Sequence, residues 1–366
     1  MSIRTRILAA SLLACSTMTG VTSAALAQDA PEAATSVQTV EEDPRRIAEN
    51  LAAMMAERYT FADTGARIAA ALRAKTAAGA YDGLHGTELA KALKGDLLAA
   101  HSDNHFTVIY DDPATGSAQE QDPERIIRPK GPQRLDMELA RWLAPGIAFV
   151  RYNLFAGTPE EMEATSKFLD DYGSAKVMIF DLRKHRGGGL GEIQTIMGRL
   201  LAQPARLVTM AVRKSLADIV GAPPSDDPTL RVVEGDPEFM LVENWAVPDA
   251  TKPALKAKVY LLTSKSTGSA SEHFALAMKV AGRGTLVGEA TNGANHFGGV
   301  FPIGGGLSAF VPFGRTFDPR DGKDWEGTGV EPDLHSPAAD ALVTVLEREG
   351  LTEDAARKLS ADVAPD

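Results

Sequence analysis

Apolar residues recur at helical spacing three times in the first third of the chain. Ile47, Leu51, Met54 and Met55 define one amphipathic face, Ile68 and Leu72 a second, and Leu89, Leu93 and Leu97 a third. The breaks at Tyr59–Asp63 and Ala78–Gly86 carry the Gly and Asp of helix ends. Residues 44–110 are therefore expected to form an N-terminal helical domain, closing on a strand over Phe106–Tyr110. Residues 111–135 are polar and proline-bearing, and predict a linker. Beyond Leu135 strands alternate with helices. Gly146–Tyr152 reads as a strand. Thr158-Pro159-Glu160-Glu161 is a capping box with proline at the first helical position, and it opens a helix through Met162, Phe168, Leu169 and Tyr172. A short buried strand, Val177–Phe180, runs into Gly187-Gly188-Gly189 and a helix carrying Ile193, Ile196, Met197 and Leu200. Strands around Leu207–Val212, Val259–Thr263 and Thr285–Gly288, a helix from about Ser269 to Val280, two apolar runs at Val300–Ile303 and Leu307–Pro312, and closing helices after Pro337 complete the pattern. A polar excursion separates the strand near Val212 from about Lys256. The alternation predicts an α/β domain over 136–350, with 351–366 a C-terminal tail.

The N-terminus changes where this fold is expected to act. Arg4 and Arg6, an apolar run from Ile7 and Ala25-Leu26-Ala27 before Gln28 make residues 1–27 a signal peptide by pattern, so the chain is expected to be exported, periplasmic or secreted. Residues 28–43, small and acidic, predict a flexible leader. Leu12-Leu13-Ala14-Cys15 also resembles a lipoprotein cleavage box, which leaves a lipid anchor at Cys15 as the alternative. Cys15 is the only cysteine in 366 residues. Cleavage after Ala27 would leave no thiol, and with it no disulfide, cysteine nucleophile or cysteine-ligated metal. No later stretch approaches the roughly 18 to 20 apolar residues of an integral membrane span. A net charge of -11 repels phosphate backbones and argues against nucleic acid as a partner. At 44% hydrophobic and 24% charged, the chain is neither wholly disordered nor collagen-like.

Candidate chemistry concentrates in Leu261–Glu272, LLTSKSTGSASE, where a buried strand gives way to a helix within a few residues. A serine at that junction has its hydroxyl beside free backbone N–H groups, where the helix dipole favours developing negative charge. Ser269 is thus a candidate nucleophile, although capping by Ser269 or Thr267 is the commoner role of such a residue. Gly187–Gly189, leaving Asp181-Leu182-Arg183, would let backbone amides approach a ligand and could form an oxyanion pocket. No Lys-Ser or Lys-Thr follows the glycines and there is no GxGxxG, so nucleotide binding has little support. Of seven histidines, His105 and His296 stand at element edges where a ring can face a cleft and serve as base; His273 follows Ser269 by one helical turn and is expected only to line its helix. Their spacings are not those of metal ligands, and neither a metal nor a cofactor is expected. Glu326, between Trp325 and Gly327, is the candidate carboxylate for orienting the base.

Four segments occur in an order and spacing that resemble a known family: FDLRKHRGGG, LLTSKSTGSASEHFALAMK, GRGTLVGEATNG and WEGTGVEPD. The chain from about Pro44 to Pro337 resembles the carboxyl-terminal processing (tail-specific) serine proteases, their tricorn protease relatives and the repeats of interphotoreceptor retinoid-binding protein. The helical segment ending in SDNHFTVIYD fits the last branch best. The resemblance implies an α/β core of ClpP/crotonase type preceded by a small helical bundle, with Ser269 as nucleophile and oxyanion amides from Gly187, Gly188 and Ala270. The processing proteases' lysine is matched here by Ala294, and no lysine lies between Lys279 and Lys323, so a serine/lysine dyad of that kind is excluded. A tricorn-like arrangement maps onto His105 and Glu326, with His296 as the alternative base. His185 stands where the family usually has asparagine. The segment 111–145 is too short for a PDZ domain of roughly 90 residues. The expected activity is hydrolysis of peptide or protein substrates; the rival, from another class, is a non-catalytic binder of retinoid-like or fatty-acid-like ligands. Oligomeric state is not legible.

Overall fold

The computed structural model describes residues 42–111, 136–216, 219 and 221–364. The expected signal peptide, Cys15, nearly all of the leader and nearly all of the linker lie outside them.

Three helices open the described chain: α1 (Pro44–Arg58), α2 (Ala62–Ala77) and α3 (Gly86–Ala100), followed by strand β1 (Thr107–Tyr110). Proline at the first position and an Asp43 side chain accepting from the Arg45 N–H (2.9 Å) start α1. The remaining elements in chain order are β2 (Met137–Ala144), β3 (Ile147–Tyr152), α4 (Pro159–Asp171), β4 (Val177–Asp181), α5 (Gly191–Leu200), β5 (Ala205–Arg213), β6 (Leu230–Val233), β7 (Phe239–Ala246), β8 (Lys258–Thr263), α6 (Ala270–Val280), β9 (Thr285–Gly288), β10 (Phe297–Gly304), β11 (Leu307–Phe317), β12 (Leu334–His335), α7 (Ala341–Arg348) and α8 (Glu353–Asp362).

Two sheets organise these elements. One runs β12-β9-β8-β4-β3-β2, parallel except for the β2–β3 hairpin. Its central strands β3, β4 and β8 are nearly continuous apolar runs because helices cover both faces. On one face α4, α5 and α6 enclose Phe168, Ile196 and Phe274; on the other α7 and α8 pack over Ile179, Tyr260 and Leu346. The second sheet is antiparallel, in the order β1-β11-β5-β7-β6 with β10 also paired to β11. The three N-terminal helices share one core with it, since Leu51, Met55 and Leu93 bury against Ile303, Leu307 and Val311. The helical domain is thereby fastened to the α/β domain along β11.

Strands β2, β6 and β7 were not expected. β7 is buried at some positions and only half-buried at others and carries Glu243 and Asn244, and β2 carries the exposed Arg141 and Trp142, so neither shows the apolar run of a strand buried on both faces. No helix among the described residues is long and apolar enough to cross a membrane.

Candidate active site

The nucleophile candidate stands on a strained junction. Between β8 and α6 the chain turns within six residues, and Ser269 has φ 57° and ψ −121°, alone among the described non-glycine residues in having positive φ. Such backbone costs about 1 to 3 kcal/mol and persists only where its surroundings hold it. The holding contacts are explicit. Thr267 is fully buried and its hydroxyl donates to the Leu182 carbonyl (2.8 Å), the Gly268 N–H donates to the His185 carbonyl (3.0 Å), and the Ser269 N–H donates to Glu272 Oε2 (2.7 Å). Thr267 therefore ties two turns together.

Glu272 is the hub of this junction, and sequence reasoning passed over it. It is fully buried, and besides Ser269 it accepts from the Ala294 N–H (2.9 Å), the Gly293 N–H (2.7 Å) and the Thr291 hydroxyl (2.6 Å). Burial raises its pKa against the pull of these donors. The S-x-x-E spacing from Ser269, the signature of a capping box, was the available signal.

The glycine turn faces the serine. A Cβ on Gly187 would stand 2.7 Å from Ser269 Cβ, so only glycine fits there. Backbone bonds from Phe155 N–H to the Gly187 carbonyl (2.9 Å) and from Gly189 N–H to the Phe155 carbonyl (2.7 Å) hold Gly188 between them. The three expected oxyanion donors differ in availability. The Gly187 N–H is spent on His185 Nδ1 (3.1 Å), whereas the Gly188 and Ala270 N–H groups have no acceptor among the described residues. His185 is wholly buried against the Phe155 ring, with centroids 4.1 Å apart, and burial pushes its pKa down to about 3. It is neutral, and its Nδ1 lone pair accepts, leaving the proton on Nε2.

His105 and His296 meet across one carboxylate. Asp103, 1% exposed, accepts through Oδ2 from His296 Nδ1 (2.8 Å) and from the Tyr59 hydroxyl (2.9 Å); its Oδ1 accepts from the His105 N–H (2.9 Å) and lies 3.8 Å from His105 Nδ1. Burial favours the protonated acid, but the bonds from both histidines and the His296 charge outweigh it and hold Asp103 below the usual carboxylate range. Burial likewise opposes charge on His296, and the Asp103 bond together with the charges of Glu326, Asp103 and Asp324 raises its pKa nonetheless.

Glu326 does not meet His105. Its Oε2 accepts from the Asn295 (2.7 Å) and His296 (3.0 Å) backbone N–H groups and stands 3.8 Å from His296 Nδ1, while its Oε1 is buried without a partner. The order in space is His105, Asp103, His296, Glu326. The carboxylate beside His105 is thus the one two residues before it, in the D-x-H segment itself.

No hydrogen bond joins either ring to Ser269; the His296 ring bonds run to Asp103 and Tyr59, while His105 Nδ1 is buried with no hydrogen-bond partner among the described residues. The two rings differ in access. His296 is 3% exposed, under the rings of Tyr59 and Phe61, whereas the His105 side chain is 15% exposed and stacks on Phe310. His105 also stands next to the serine loop. Asn104 Nδ2 donates to the Asn292 carbonyl (3.2 Å), the Asn292 N–H donates to the Thr267 carbonyl (2.8 Å), and a Cβ on Gly268 would lie 3.6 Å from Asn292 Cβ. His105 and Ser269 are each one residue removed from that contact. Asp103, His296 and Glu326 have ligand atoms within 4.8 Å of one another, the one such group among the described residues. Asp103 and His296 spend these atoms on each other, so the group is a hydrogen-bonded charge cluster.

Comparison with known proteins identifies the family and the fold. A family model described as peptidase family S41 matches residues 146–336, just over half of the chain, and one described as the N-terminal domain of S41 peptidases in eukaryotic IRBP matches residues 27–143. The chloroplastic carboxyl-terminal-processing peptidase 1 of Arabidopsis thaliana is 28% identical over 187 residues, which is 49% of this chain and 37% of that protein. The chain thus spans little more than a third of the length of this curated relative. Two solved structures share the fold. A candidate peptidase from Parabacteroides merdae superposes with a TM-score of 0.57 at 18% identity over 85% of this chain and 98% of the other. The photosystem II D1 C-terminal processing protease gives 0.51 at 15% over 88% and 99%.

Proposed function

The chain belongs to peptidase family S41, and we propose that it is an exported serine peptidase in which Ser269 attacks the scissile carbonyl of a peptide or protein substrate. The observation that carries this reading is the positive φ of Ser269 at a strand-to-helix turn facing Gly187. A non-glycine residue is kept in that conformation at a cost, and the surroundings that hold it also present two unspent N–H groups. Export is supported by the leader pattern of residues 1–27.

In the proposed cycle His105 Nε2 takes the Ser269 hydroxyl proton as Oγ bonds to the carbonyl carbon. The Gly188 and Ala270 N–H groups donate to the oxyanion. His105 then passes the proton to the leaving amine as the C–N bond breaks, and a water deprotonated by His105 hydrolyses the acyl-enzyme. Asp103 holds the Nδ1 side of His105, in the role first expected of Glu326. Asp103 Oδ1 and His105 Nδ1 stand 3.8 Å apart, beyond a hydrogen bond, and the proposed cycle requires that gap to close when substrate binds.

A fluorophosphonate probe tests this reading. The wild-type chain is expected to be labelled at Ser269, found by peptide mapping, and Ser269→Ala is expected to lose both label and peptide cleavage. A folded wild-type chain that takes no label at neutral pH refutes it. Retinoid or fatty-acid binding, with no cleavage, would favour the non-catalytic binder.

A further inference from the structure

Two imidazoles share Asp103, and the proposed base needs only one of them. We propose that His296 is a positioning residue that sets the basicity of His105 through their common carboxylate, with Glu326 holding the charge on His296. This rests on the reading of His105 as the base.

The geometry carries the coupling. Asp103 divides its two oxygens, Oδ2 toward His296 Nδ1 at 2.8 Å and Oδ1 toward His105 Nδ1 at 3.8 Å. A proton on His296 neutralises much of the anion that would otherwise stabilise a proton on His105. The charged groups facing His296 are Asp103 from the segment before β1 and Glu326 and Asp324 from the loop after β11, with the Tyr59 hydroxyl (3.4 Å) from the end of α1. Arg315 on β11 reaches this region too, but it is paired with Asp324 (2.9 Å). Two carboxylates against one imidazole favour the charged ring, in line with the upward direction of its pKa. Facing His105 are Asp103 and the Phe310 ring. In this arrangement a proton on His296 draws on the same anion that would stabilise a proton on His105, so it keeps His105 a weaker base than Asp103 alone would make it.

The sign follows. Replacing His296 by a neutral side chain removes the competing charge, so His105 holds its proton to higher pH, and the acid limb of activity, which needs neutral His105, moves up with it. Glu326→Gln acts in the same direction, because it loosens the proton on His296 while keeping an oxygen for the Asn295 and His296 N–H groups.

The experiment is an NMR titration of the histidine rings in ¹⁵N-histidine-labelled Ser269→Ala protein, alone and combined with His296→Gln or Glu326→Gln. The His105 midpoint is expected to rise by about half to one pH unit in either combination. With Ser269 present, the acid limb of fluorophosphonate labelling is expected to shift by the same amount. A merely structural role for His296 lowers the amplitude and leaves the midpoint in place. An unmoved His105 midpoint in a folded variant overturns the inference, and Glu326→Gln decides it should His296→Gln fail to fold. The midpoints are read without substrate. A moved midpoint in a chain that never labels refutes the peptidase and leaves the coupling standing, whereas labelling with an unmoved midpoint does the reverse.

Discussion

Gly188 separates the proposed oxyanion site from an ordinary glycine turn. It has φ +117°, and a Cβ built on it would stand 2.0 Å from the Phe155 carbonyl oxygen and 2.7 Å from the carbonyl carbon. Both are backbone atoms of a residue gripped on its two sides, its N–H donating to the Gly187 carbonyl (2.9 Å) and its carbonyl accepting from the Gly189 N–H (2.7 Å), so no side chain can swing aside. Since Cβ contacts under 3.0 Å essentially do not occur, Gly188→Ala must push the turn away by about 1 Å. A displacement of that size at a reacting centre costs about 10²-fold in rate, and loss of one oxyanion donor about 10² to 10³. Gly189→Ala is the matched control: its nearest non-neighbouring atom, the same Phe155 oxygen, is 3.8 Å away and its φ is not positive. Fluorophosphonate labelling rate and kcat for a fluorogenic peptide, with thermal melts on the same preparations, read the outcome. Gly188→Ala is expected to lose about 10²-fold or more, mainly in kcat, and Gly189→Ala to stay within about threefold of wild type. A Gly188→Ala chain that melts like wild type and labels at the wild-type rate would remove that N–H from the mechanism.

Three further outcomes follow from the same contacts. Glu272→Ala strands four donors, each worth about 1 to 3 kcal/mol when left unpaired in the interior, so it should lower unfolding stability by about 4 kcal/mol in a urea titration; a loss below about 1 kcal/mol would contradict the hub assignment. His185→Leu deprives the buried Gly187 N–H of its acceptor and is expected to slow Ser269 labelling and lower the melting temperature, with His185→Asn recovering much of both through its amide oxygen; equal behaviour of the two variants would show that His185 only fills space. The folded Asp103 pKa is depressed, so its contribution to stability is complete above the ordinary aspartate value near 4 and drains away as pH falls through the folded value. The fall in urea midpoint from pH 7 to pH 3 should accordingly be smaller in Asp103→Asn than in wild type, and an equal fall in both would refute the assignment.

What was legible in the sequence is what local chemistry encodes. The strand-to-helix junction at Ser269, the glycine turn and the helix faces of Leu51 and Leu93 depend on residues within a turn or two of each other, and each is found where its spacing predicts. The partner of each ring was not legible. Asp103 and His296 are 193 positions apart in the chain, and which carboxylate meets which imidazole is set by how β1 and β10 flank β11. Sequence assigned Glu326 to His105 because both fall in family motifs; the fold interposes Asp103 and His296. His185 stood out as a departure from the usual asparagine, yet only the backbone path shows its ring accepting the Gly187 N–H. The missed strands β6 and β7 share another cause, because an antiparallel pair half open to water has no need of the apolar run that marks a buried strand.

The same long-range dependence explains why the proposed nucleophile is strained. Ser269 is held from two sides by segments that do not touch in sequence: the Leu182 and His185 carbonyls anchor the turn before it, and Glu272 grips its N–H while binding residues 291–294. Thr291 closes the circuit, since its hydroxyl donates to Glu272 and accepts from the Val330 N–H (2.7 Å) four residues past Glu326. The loop that carries Glu326 is therefore bonded to the hub that keeps Ser269 at positive φ, and the loop that carries His296 begins at the same hub. Serine geometry and the charge cluster around Asp103 are not independent modules. Disorder introduced at Thr291 should reach both, lowering the Ser269 labelling rate and moving the His296 titration together, while a change confined to Asp103 should move the His296 and His105 titrations and leave the backbone bonds that hold Ser269 in place.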